Sequence, residues 1–127
     1  MKTKVLKLLI LMVMLPLLSM AQKAYETVSY KGELNRQKIR LNLANGYIGA
    51  SAIIIRFNSK SIQFTPEMGS ANADGRLRFN RLKNSDHPST DYFILDNMAD
   101  AYETLPLVIK GQYYHNGKKI NIKFRTL

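Results

Sequence analysis

Residues 107–126 read LVIKGQYYHNGKKINIKFRT. At the centre, Asn116-Gly117 is a strong hairpin signal, because a type I′ turn needs positive φ at both central residues. A two-residue loop there opposes His115 to Lys118. It pairs Tyr113 with Ile120, Gly111 with Ile122 and Ile109 with Phe124 on one apolar face. The other face pairs Tyr114 with Lys119, Gln112 with Asn121 and Lys110 with Lys123. Two lysines directly opposite are mildly unfavourable, so that face must be wet. One apolar and one wet face is the pattern of an antiparallel sheet.

The same period-2 alternation recurs upstream. Ile39, Leu41 and Leu43 alternate with Lys38, Arg40 and Asn42; Ile62 and Phe64 with Ser61, Gln63 and Thr65; Leu77 and Phe79 with Arg76, Arg78 and Asn80. About eight strands follow, near 24–31, 37–43, 47–57, 60–65, 76–82, 91–95, 107–115 and 118–126. Asn45-Gly46, read as a second two-residue turn, opposes Leu43 to Ile48 and Leu41 to Ala50. Asn58-Ser59 opposes Ile55 to Ile62 and Ile53 to Phe64. These two registers put opposite parities inward in one strand. Either a bulge lies between Gly49 and Ile53, or one turn is longer than two residues. Residues 66–75 and 83–90 read as loops, and 96–105 as a helical turn ended by Pro106. The fold class is all-β, a small up-and-down or partly open barrel, with a two-sheet β-sandwich as the alternative.

The N-terminus reads differently. Lys2, Lys4 and Lys7 precede an apolar run from Leu8 to Leu18, followed by Ser19-Met20-Ala21. These are the three parts of a secretory signal peptide, cleaved before Gln22. The run is shorter than the roughly 20 residues that span a bilayer. The domain organisation is then 1–21 signal peptide and 22–127 one all-β domain, placed outside the cytoplasm. Removal of residues 1–21 takes away three lysines and no acids, so 106 residues carry a net charge of +7 in place of +10. No Cys is present, so stability rests on burial and backbone pairing without disulfides. A membrane-spanning barrel does not fit, since strands of about 9–11 residues would consume the whole chain and the outward faces carry lysines and arginines.

Few catalytic chemistries suit these residues. There is no Cys nucleophile, no Gly-x-Ser-x-Gly and no phosphate-binding glycine motif. His87 and His115 are far apart in sequence, and Asp96, Asp100 and Glu103 share a face only if 96–105 is helical. No catalytic, metal or cofactor-binding residue is nominated, and the expected class is non-enzymatic. Tyr25, Tyr30, Tyr47, Tyr92, Tyr102 and Tyr114 are expected to be partly exposed, with Tyr113 in the core.

Basic charge is the most specific remaining feature. Lys38, Arg40, Arg76 and Arg78 fall on wet faces, extended by Arg81 and Lys83. Lys119, Lys123 and Arg125, with Lys110 opposite, form the candidate patch for an anionic partner. Export and the absence of a nucleic-acid motif point away from nucleic acid. An acidic protein, an acidic glycan or an envelope phosphate remains. The expected function is an exported binding or interaction protein with a basic surface; the alternative is a barrel that holds a small apolar ligand.

Overall fold

The turn at Asn116-Gly117 closes β7 (Val108–His115) onto β8 (Lys118–Thr126) with the pairing read from sequence, from His115 opposite Lys118 to Ile109 opposite Phe124. In the computed structural model, which describes residues 2–20, 25–82 and 90–127, six further strands precede this hairpin. They are β1 (Glu26–Leu34), β2 (Gln37–Asn45), β3 (Ala52–Phe57), β4 (Lys60–Pro66), β5 (Leu77–Arg81) and β6 (Tyr92–Leu95). Each pairs antiparallel with its sequence neighbour, and β8 returns to β1, so the sheet is a closed up-and-down barrel of eight strands rather than a sandwich. The segment before it is a helix, α1 (Lys2–Met20), whose described side chains, residues 3–13, are exposed. Among the described residues no helix is long and apolar enough to cross a membrane. The expected cleavage point at Ala21-Gln22 and residues 83–89 of the expected loop 83–90, Lys83 and His87 among them, lie outside the described residues.

Alternation decides the interior. Ile39, Leu41, Phe64, Leu77, Phe79, Ile109, Ile122 and Phe124 are buried as their parity predicts, and Ile62 packs against them partly buried. Five aromatic side chains, Tyr30, Phe64, Phe79, Phe93 and Phe124, are 0% exposed and fill the barrel. Phe64 meets Phe93 edge-on at 4.8 Å, a favoured aromatic geometry. Tyr30 is a correction to the sequence reading: it is wholly interior, because β1 extends to Leu34 and its even residues face inward. Its hydroxyl is satisfied by donating to the Pro106 carbonyl at 2.8 Å.

Three turns have positive φ at both central residues: Asn35-Arg36 (50° and 67°), Asn58-Ser59 (45° and 57°) and Asn116-Gly117 (49° and 73°). All begin with Asn, which tolerates this region through its short polar side chain. Asn58-Ser59 gives the expected pairs Ile55 with Ile62 and Ile53 with Phe64. Asn45-Gly46 is not such a turn. β2 pairs with β3 as Ile39–Ile55 and Leu41–Ile53, so the connection is longer and no bulge is needed. Tertiary bonds take over the local signal here. The Asn45 carboxamide accepts from the Tyr102 N–H at 2.7 Å and donates to the Tyr102 carbonyl at 3.2 Å. The Gly46 N–H donates to the Asp100 carbonyl. A 3-10 turn at Ile48–Ala50 drops Ile48 into the core, and Ser51 Oγ accepts from the Ala44 N–H at 2.9 Å.

The segment 96–105 forms no helix. Asn97 sits at φ 54°, and the N–H groups of Asp96, Met98 and Tyr102 are spent on Lys110, Gly75 and Asn45. Asp96, Asp100 and Glu103 therefore share no helical face.

The Asn35-Arg36 turn carries a testable strain. A long side chain at positive φ costs about 1–2 kcal/mol, against which glycine loses about 0.5–1 kcal/mol of extra entropy. Arg36→Gly is expected to raise stability by about 0.5–1 kcal/mol, read as a higher urea midpoint. A lowered midpoint would refute the strain.

Candidate functional site

The wet faces of β7, β8, β1, β2 and β3 adjoin around the barrel and bound a concave cleft of about 1370 Å³ on its outside. Backbone register lays its charges out in rows. In one row, Arg125 of β8 stands opposite Lys31 of β1, and Lys31 stands opposite Arg40 of β2. In the next, Lys110 of β7 opposes Lys123 of β8. Further round, Glu33 opposes Lys38, and Arg56 lies one residue beyond the Ile39–Ile55 pair, alongside Lys38. All seven cations are exposed. Among the described residues none of them makes an ion pair.

That arrangement opposes the ordinary logic of a sheet. Like charges directly across strands are destabilising by a few tenths of a kcal/mol to about 1 kcal/mol each. This one face holds three such contacts: Lys31–Arg40, Lys31–Arg125 and Lys110–Lys123. Of the two acids in the cleft, Asp96 is already engaged, by Arg76 at 3.5 Å and by the Gln112 amide at 2.8 Å. The remaining surface between the cations is amide-rich, with Gln37, Asn42, Gln112 and Asn121, and among the described residues no aromatic side chain lines it.

Three of the four patch residues expected from sequence, Lys110, Lys123 and Arg125, line this cleft together. Lys119 is exposed but stands apart, opposite Tyr114 near the hairpin tip. Lys38 and Arg40, read as wet-face residues, join the cleft. Lys31 and Arg56 were missed. Both follow from strand parity once β1 and β3 are correctly bounded, but the proximity of Lys31 to Arg125 depends on closure of the barrel.

The other basic group behaves differently. Arg76, Arg78 and Arg81 each face an acid, Asp96 at 3.5 Å, Glu67 at 3.8 Å and Asp91 at 3.5 Å. Arg78 also lies 3.7 Å over the Tyr92 ring, which stacks on Tyr114 at 4.8 Å. These contacts satisfy the arginines within the fold.

At the barrel end near Asn116, Asp91 is buried and accepts from the Tyr113 hydroxyl at 2.6 Å and from Arg81. His115 stacks on Tyr113 at 6.2 Å. Among the described residues no three His, Asp or Glu side chains group to hold a metal ion. Burial, then the hydrogen bond and charge of Asp91, hold the Tyr113 hydroxyl far above its ordinary value. Burial raises Tyr30 and Tyr102 as well. A raised phenol pKa in the folded state favours the neutral form, so its contribution is whole below about pH 10 and is lost as pH climbs toward the folded value. Urea midpoints are therefore expected to be flat up to about pH 9.5 and to fall above pH 10. Tyr113→Phe should fall less steeply. An equally steep decline in that variant would refute the role of Tyr113.

No family model, curated protein or solved structure matches the chain.

Proposed function

We propose that this is an exported, non-enzymatic binding protein that captures an anionic partner on the concave outer face. The observation that carries this reading is the set of seven exposed cations that, among the described residues, make no ion pairs and stand partly in like-charge opposition. A protein that needed charge only for solubility would intersperse the two signs, as it does around Arg76 and Arg78. The signal-peptide pattern of residues 1–21 supports export. The interior supports an outer site over a bound apolar molecule, since Tyr30, Phe64, Phe79, Phe93 and Phe124 occupy the barrel lumen.

The test is retention on immobilised heparin and on phosphocellulose. Wild-type protein should be held at low salt on at least one matrix and released by added salt, because exposed charges are screened beyond about 8 Å at physiological ionic strength. Lys110→Glu with Lys123→Glu should elute at clearly lower salt. Retention indifferent to both salt and these changes would sink the proposal.

A further inference from the structure

We infer that the concave face takes a linear acidic polysaccharide, laid across the strands with its carboxylate or sulfate groups on the cation rows; this rests on the anion-capture reading above. The rows run perpendicular to the strands: Arg125, Lys31 and Arg40 from β8 through β1 to β2, and Lys110 and Lys123 on β7 and β8 with Lys38 and Arg56 on β2 and β3, where Glu33 of β1 stands between the two pairs. Five strands about 4.8 Å apart span about 19 Å, so the site offers a line of three adjacent cations beside a longer line of two cation pairs parted by one acid. A cleft of about 1370 Å³ exceeds the roughly 300–1,000 Å³ of a small-molecule pocket. It suits a length of chain better than a single anion.

The chemistry between the cations narrows the class. Gln37, Asn42, Gln112 and Asn121 line the cleft, and each carboxamide both donates and accepts. Sugar hydroxyls answer both, whereas a chain of phosphates offers almost only acceptors. Among the described residues no aromatic side chain lines the cleft, so it lacks the stacking platform that single-stranded nucleic acid uses. The arginines Arg40, Arg56 and Arg125 can each grip a carboxylate or sulfate in a fork of two N–H donors.

Lys31 is the key position, because it sits between Arg125 and Arg40. Lys31→Glu places an acid between two arginines, relieving both like-charge contacts while occupying the row. Its thermal midpoint should equal or exceed that of the wild type, so lost binding could not be blamed on misfolding.

The experiment is titration of the full chain with size-defined heparin-derived and polygalacturonate oligosaccharides, inorganic polyphosphate, poly-glutamate and phosphatidylglycerol vesicles. Affinity for the sugars should rise with chain length and level off once the oligomer spans about 19 Å. Lys31→Glu should weaken it roughly tenfold or more, and Lys119→Glu, outside the cleft, by much less. Tighter binding of polyphosphate, poly-glutamate or vesicles than of the sugars at equal charge would overturn the polysaccharide while leaving anion capture standing. Equal losses in the two variants would overturn the cleft as the site. No binding of any polyanion would overturn both readings.

Discussion

Gly111→Val is expected to lower stability by about 3 kcal/mol or more, the upper range of overpacking. Gly111 lies in β7, opposite Ile122 and beside β6 at Leu95. A Cβ there would overlap the Ile94 carbonyl oxygen and sit 2.7 Å from Leu95 Cδ2. Backbone cannot yield as a side-chain tip does, so β6 and β7 would have to separate. Gly32 makes the matching approach at the seam, where a Cβ would fall 2.6 Å from the Lys123 carbonyl oxygen. Both glycines let strands coil tightly enough for the barrel to close. Gly69→Ala is the control, since nothing lies within 4 Å of its added methyl, and it should shift stability by less than about 0.5 kcal/mol. Chemical denaturation of the three proteins decides the matter. A Gly111→Val midpoint no lower than that of Gly69→Ala would show that the contact can be absorbed.

Phe124→Ala is expected to lower stability by about 3–5 kcal/mol. The ring is 0% exposed, and its backbone pairs with Ile109 on one side and Gly32 on the other, so it sits where the last strand meets the first. Truncation leaves a void between strands already joined by only three register pairs, Tyr30–Thr126, Lys31–Arg125 and Gly32–Phe124. Against a typical total of about 5–15 kcal/mol, such a loss could unfold the protein at 37 °C. Urea denaturation followed by tyrosine fluorescence measures it. A midpoint close to wild type would mean that β8 packs far more loosely than its burial indicates.

Anion capture and core stability use opposite sides of the same strands. In β8, Ile122 and Phe124 point inward while Asn121, Lys123 and Arg125 point out. Alternation along a strand therefore couples the site to the fold without sharing side chains. A charge change at Lys123 or Arg125 can alter binding with little effect on packing, whereas Phe124→Ala should affect both by moving the strand.

The sequence by itself determined whatever depends on near neighbours along the chain. Period-2 alternation put Ile39, Leu41, Phe64, Phe79, Ile122 and Phe124 inside, because sidedness in a strand is a property of parity alone. Asn116-Gly117 and Asn58-Ser59 fixed two registers, because turn geometry is set by the φ preferences of two residues. Tertiary structure decided the rest, where a distant partner outcompeted a local preference or made a contact that spacing cannot express. Asn45 could have headed a tight turn, yet its amide holds Tyr102 instead. Residues 96–105 could have coiled, yet their N–H groups bond other strands and loops. Lys31 was one exposed lysine among many until closure of β1 on β8 set it between Arg125 and Arg40. Charges at opposite ends of the chain become neighbours only when the sheet meets itself, so the cation row is a property of the closed barrel and of no segment within it.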